Sequence, residues 1–250
     1  MLIRSTLVTA IVLFLAAGPV HAETTPAQKQ EIETIVRDYL LAHPEVIEEA
    51  LNALQEHRQA ELAAEQTEAI ERNRSVIFGS VNQMVLGNPN GKVTLVEFFD
   101  YNCPYCKRAA ADTKALLEKN PDLRIVMKEF PILSEGSLEA ARISVAVKDI
   151  APHRYLEFHE ELFARPGQAD SGKALRVARD LGLDTEALKS AAARPEVTEN
   201  IQEVNKLANK LGIGGTPAYV IGNELIGGAP GYEVLQKKVT ALIDCNKPVC

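Results

Sequence analysis

Two cysteines with a proline and a tyrosine between them, Cys103-Pro104-Tyr105-Cys106, stand where strand-forming residues, VTLVEFFDYN, give way to an alanine-rich helical pattern, KRAAADTKALLEK. Three kinds of chemistry use that spacing: a redox dithiol, half of a tetrahedral metal site, and a short structural disulfide. A helix N-terminus presents unpaired N–H groups and the positive end of the helix dipole, and both favour thiolate over thiol. Cys103 is then expected to be the exposed nucleophile, and Cys106, one turn on, the sulfur that resolves a mixed disulfide. Pro104 suits the first helical position, where its missing N–H would have no partner anyway. As a staple, so short a loop gains only about 2 kcal/mol. As a metal site, the pair would need Cys245 and Cys250, spaced CNKPVC, or a histidine, and no histidine stands in a ligand-like pair with a cysteine.

Two further features point to redox chemistry. Glu97 lies in an apolar run six residues before Cys103, on the same strand face as Leu95 and Phe99 by alternation. A carboxylate there is costly unless it is paired or carries protons. Lys128, in the next strand candidate, is its expected partner; the alternative is that both reach solvent at strand ends. Farther on, Gly214-Gly215-Thr216-Pro217 precedes another strand. A proline at that entry is a candidate cis bond, which would expose the backbone of Thr216 for pairing with an extended substrate.

The elements that must hold these residues can be read from periodicity. Val93–Phe99 reads as a buried strand, Ala109–Lys119 as a helix stopping near Asn120-Pro121, and Leu123–Phe130 as a second strand. Residues 135–211 read as almost wholly helical, followed by two short strands around Gly222-Asn223 and a last helix over about 231–243. The order implies a central sheet flanked by helices, with a helical block of about 135–210 inserted between strands.

Ahead of this domain, Pro26 to about Arg74 holds no glycine. Ile32, Ile35, Val36, Tyr39 and Leu40 form one apolar stripe, and His43-Pro44 interrupts it because a residue before proline avoids the α region. Ile47, Leu51, Leu54 and Leu62 continue the stripe on a polar helix. Such a narrow stripe placed before a domain favours self-association over folding back on the core. It does not choose between dimer and trimer.

The first residues bear on compartment. Arg4, the apolar run Leu7–Ala17 and Val20-His21-Ala22 have the pattern of a secretory signal, with cleavage expected after about Ala22. The run is shorter than the about 20 residues of a membrane span, an uncleaved anchor being the alternative. Formal net charge is −7, with no basic stripe, so nucleic acid is not an expected partner. Four cysteines are too few for a disulfide scaffold, so a hydrophobic core must carry the fold.

The strand–CPYC–helix unit, the glutamate six residues upstream and the Thr-Pro before a C-terminal hairpin resemble the thioredoxin superfamily. The long helical insertion narrows the resemblance to its DsbA-like branch. VRDYLLAHPEVIEEAL, with VTLVEFFDYNCPYCKR and KEFPIL, is similar to the oligomeric ScsC (suppressor of copper sensitivity) and Com1-like exported proteins. The resemblance implies a thioredoxin fold preceded by a helical oligomerisation arm, so that residues 1–22 are signal, 23–75 arm and linker, and 76–250 catalytic domain. It implies Cys103 as nucleophile, Cys106 as resolving cysteine, Pro217 as cis-proline preceded by Thr216, and Glu97 with Lys128 as a buried proton-handling pair.

Family members of this shape act as disulfide isomerases or oxidases in the periplasm, without metal or other cofactor. Disulfide-containing client proteins, a membrane thiol reductase of the DsbD/ScsB type, and further copies of the chain joined through residues 26–75 are the implied partners. Tyr105 departs from the strongly oxidising members, which carry histidine there. Lacking that nearby positive charge, the site leans towards isomerase work. A dithiol oxidase and a Cu(I)- or Zn-binding protein of copper tolerance are the alternatives. Cys245 and Cys250 read as a tail disulfide, or as a metal-capturing tail or relay.

Overall fold

The computed structural model describes residues 25–245, the last by its main chain alone. The signal reading of residues 1–22 and the Cys245–Cys250 pairing lie outside the described residues. By its internal contacts the chain divides into two units that meet between residues 58 and 59.

The first unit is helical. Helix α1 (Pro26–Ala42) begins with a reciprocal cap: Gln28 N donates to Thr25 Oγ1 at 3.3 Å, and Thr25 N donates to Gln28 Oε1 at 2.9 Å. It ends at His43, where the following proline makes a further helical residue unfavourable. Helix α2 (Glu45–Arg72) then opens with Glu45 and Glu48 in its first turn, matching the dipole. No residue of α1 is buried, and Ile35 and Leu51 are each 60% exposed.

The second unit takes in the end of α2, a short helix α3 (Arg74–Gly79), and strands β1 (Met84–Gly87) and β2 (Val93–Phe99). Helix α4 (Pro104–Lys119) connects β2 to β3 (Leu123–Glu129). The helices α5 (Glu135–Ile150), α6 (Tyr155–Ala164), α7 (Ser171–Asp180), α8 (Thr185–Ala192) and α9 (Pro195–Lys210) follow as one block. The hairpin of β4 (Ala218–Ile221) and β5 (Glu224–Gly227) and helix α10 (Tyr232–Cys245) complete the unit. The sheet runs β1-β3-β2-β4-β5, with β2 and β3 parallel and the other pairs antiparallel. A central strand buried on both faces needs apolar residues at every position, and β2 supplies them except at Thr94 and Glu97.

One sheet face, with Leu95, Phe99, Ile125 and Met127, packs on α4, α10 and the inserted helices. The other, with Val96, Phe98, Val126 and Val220, packs on α9 and on Ile70 and Ile77. Ala69 and Ile70, at the end of α2, therefore belong to the core of the second unit, ahead of the expected boundary at residue 75. β1 was not anticipated: four residues, antiparallel at the sheet edge, give little alternation to read.

Candidate active site

The loop between β2 and α4 is built by Asp100. Its carboxylate is 1% exposed and accepts from the N–H groups of Asn102 (2.8 Å), Ile132 (2.9 Å) and Leu133 (3.0 Å). Its main-chain carbonyl accepts from Cys103 N at 3.0 Å. One buried residue thus holds both the cysteine loop and the loop after β3. Asn102 adds the insertion: its Nδ2 donates to Ala169 O (2.9 Å) and Ser137 Oγ (3.0 Å), and its Oδ1 accepts from Ala169 N.

Cys103 is the N-cap of α4, and Pro104 occupies the first turn. Cys106 N donates to Cys103 Sγ at 3.4 Å, and Cys103 Sγ donates to Thr216 O at 3.1 Å. The Thr216-Pro217 peptide is cis, and Pro217 O accepts from Gly228 N at 2.8 Å. Cys103 is only 4% exposed, against the expectation of an exposed nucleophile: the Thr216 carbonyl and its own helix cover the sulfur. It lies in the lining of a pocket of about 430 Å³ shared with Tyr101, Lys107, Leu133, Phe163 and Lys173. A second pocket of about 580 Å³ lies across the motif, between Tyr105, Arg108, Ile213, Thr216, Pro217 and Leu225. Cys106 is 1% exposed, and burial pushes its thiol well above the usual range. Both cysteines are free thiols.

Tyr105 is half exposed, and the Arg108 guanidinium lies 4.4 Å from its ring centroid. The motif therefore has a cation one turn away, although position 105 supplies none.

Glu97 and Lys128 are both buried, at 1% and 0% exposure, so neither reaches solvent. They are not a pair. In the parallel register Glu97 stands opposite Met127 and Lys128 opposite Phe98, and one step along a strand turns a side chain to the other face. Glu97 Oε2 accepts from Thr113 Oγ1 at 2.7 Å, and Tyr219, its neighbour on β4, makes a long 3.5 Å contact to Oε1. Burial, against these two hydrogen bonds, pushes the Glu97 carboxyl up to about 7. The Tyr219 phenol is held above its usual range by burial first, and then by charge on Glu97 and Cys106. Lys128 donates instead to Val76 O at 3.0 Å, and burial lowers its ammonium to about 8.

Among the described residues, no cluster of three or more His, Cys, Asp or Glu could hold a metal ion. None of their helices is long and apolar enough to cross a membrane. Two sulfurs at a helix start, one of them donating to the carbonyl of the residue before a cis-proline, are an arrangement that dithiol–disulfide exchange can use. A family model of the DSBA-like thioredoxin domain matches residues 94–240. The chain belongs to the DsbA-like thioredoxin family.

A second model, the copper resistance protein ScsC N-terminal domain, matches residues 28–61 of this DsbA-like chain. A thioredoxin-like oxidoreductase from Silicibacter pomeroyi is 46% identical, covering 66% of this chain and 94% of that one, with a TM-score of 0.63. Proteus mirabilis ScsC in a transitional conformation is 30% identical, with 85% and 95% covered and a TM-score of 0.63. Disulfide bond formation protein D of Bacillus subtilis is 26% identical over 167 residues, 63% of this chain and 75% of that protein. The chain also matches the Na(+)/H(+) antiporter NhaA 1 of Salinispora arenicola, of which it spans 24%. The DsbA-like chain is a thiol-disulfide oxidoreductase of the DsbA/ScsC type.

Proposed function

We propose that the protein is an exported thiol-disulfide isomerase whose copies join through the helical arm, placing several CPYC sites around one client. The observation that carries the chemistry is Cys103 Sγ at the N-cap of α4, within hydrogen-bonding reach of Cys106 N and Thr216 O. The Cys103 thiolate attacks a client sulfur, a Cys103–client bond forms, and the client S–S bond breaks to release a thiolate. In isomerisation that client thiolate attacks a different client disulfide, and a client thiolate finally displaces Cys103 with no net electron transfer. In the escape route Cys106 attacks Cys103, the client leaves as a dithiol two electrons richer, and the enzyme is left as the Cys103–Cys106 disulfide. Glu97, poised near neutrality beneath the helix, accepts the proton that Cys106 must lose.

The Thr216 carbonyl and cis-Pro217 hold an extended client segment beside Cys103. The exposed stripe of Ile32, Ile35, Val36, Ile47 and Leu51 supports self-association, as does the ScsC N-terminal match. Isomerisation needs Cys103 kept reduced, so a membrane-bound dithiol reductase is the implied partner, and the periplasm the implied compartment. Scrambled-ribonuclease reactivation, reduced-ribonuclease oxidation and Cu(I) and Zn titration on one sample test this reading. Reactivation exceeding oxidation supports it; oxidation alone makes the protein a dithiol oxidase; metal binding without exchange removes the enzymatic role.

A further inference from the structure

The pocket beside Cys103 has a charge of its own. Its lining includes the buried rings of Tyr101 and Phe163 and the exposed Leu133, and its cations are Lys107, Arg165 and Lys173. No aspartate or glutamate lines it, in a chain of net charge −7. Arg165 is largely answered by Asp180, 2.6 Å from its Nη1. The two ammonium groups are not: each bonds only main-chain carbonyls among the described residues. Lys107 Nζ donates to Ala164 O at 3.3 Å, and Lys173 Nζ to Arg165 O and Gly167 O at 2.8 and 2.9 Å. Lys173 is 5% exposed, and its ammonium is lowered by burial first and then by Lys107, with Asp170 acting in the opposite sense. Asp170 itself is turned to the start of α7, where its Oδ1 accepts from Lys173 N at 2.6 Å. A buried ammonium with one donor unused, next to a second ammonium, is a site that an incoming anion stabilises.

We infer that this pocket, lying between Cys103 and the inserted helices, takes a carboxylate carried by the client polypeptide within a residue or two of the attacked cysteine. The site thus selects acidic disulfide segments over basic ones. The inference rests on the exchange reading above for the attack itself. The attack leaves a Cys103–S–S–client bond and a departing thiolate that takes a proton from solvent. The carboxylate is bound, not changed.

Single-turnover reduction by the full-length reduced protein tests it, using three disulfide-linked peptides with Glu, Gln or Lys beside the cysteine. At low salt the Glu peptide should react about threefold faster than the Gln peptide and about tenfold faster than the Lys peptide, an advantage that shrinks at 0.5 M salt. The Glu-to-Lys rate ratio should fall in Lys107→Gln and fall further, towards one, in Lys107→Glu, where Lys173 remains. Equal rates for the three peptides in the unaltered protein overturn the pocket and leave the exchange chemistry standing. A preference confined to glutathione disulfide over cystamine overturns the client assignment, since the carboxylate then belongs to a small thiol. S-methylated versions of the peptides read the pocket without exchange. Tighter binding of the Glu version supports it even if no peptide is reduced, and equal affinities overturn it.

Discussion

Glu97 and Lys128 are buried on adjacent parallel strands yet face opposite sides of the sheet, Glu97 beside Thr113 and Tyr219 and Lys128 beneath the Val76 carbonyl. Each therefore bears its desolvation without the other, and their titrations should be separable. Lys128→Met should leave the exchange rate unchanged and raise stability at pH 7 by on the order of 2 kcal/mol, because an ammonium lowered to about 8 weakens the fold while charged. The unfolded chain keeps that proton longer, so wild-type stability should rise from pH 8 to 10.5 and the variant's should not. Denaturant titrations at pH 7, 8.5 and 10 check both statements.

Glu97 has the opposite sign. Its folded carboxyl, at about 7, binds a proton that the unfolded chain has already released above about 4.5. The stability it contributes is complete below pH 4.5 and lost as pH rises to 7, a change on the order of 3 kcal/mol. Glu129, raised to about 8 chiefly by burial, acts in the same direction up to that pH. Melting temperature should therefore fall between pH 5 and 8, and Glu97→Gln should flatten part of that fall. The same variant should slow release of the mixed disulfide by Cys106 about tenfold while leaving the first attack by Cys103 unchanged, as stopped-flow traces of the two steps would show.

Asp100 joins two loops through three N–H groups. Asp100→Ala leaves those donors without their acceptor and should cost about 3 kcal/mol, with a larger fractional loss of activity than of folded protein. Asp100→Asn, which keeps a neutral acceptor, should fall between the two. Urea unfolding and exchange rates on the same samples test the ordering.

The arm should be separable only upstream of the core. Removing residues 26–58 should give a monomer by light scattering that keeps dithiol oxidation and loses isomerisation. Removing 26–75 also takes Ala69 and Ile70 from the sheet's packing and should cost several kcal/mol more.

The residues legible in the sequence were those whose role is local. CPYC at a strand-to-helix junction, Thr-Pro before a hairpin, and the proline break at residue 44 each declare a backbone geometry within a few positions. The inserted block is legible from its helical periodicity and its place between two strands. The Glu97–Lys128 pairing was misread because it depends on register, which alternation within each strand leaves open by one step. Asp100 and Asn102 carry no such local mark, since nothing nearby in the chain reveals that their partners are Ile132, Leu133 and Ala169. The one signal available is position, an Asp and an Asn between an apolar strand and the CPYC motif. The cationic pocket was equally hidden, as Lys107 and Lys173 come together only through the insertion.

The division of labour between the two sulfurs can be read most directly by mass. Full-length protein carrying Cys106→Ser, mixed with a disulfide peptide, should accumulate one peptide per chain on Cys103, while Cys103→Ser accumulates none and turns over nothing. Peptide attached at Cys106 in the second variant, or undiminished turnover without Cys103, would contradict the account.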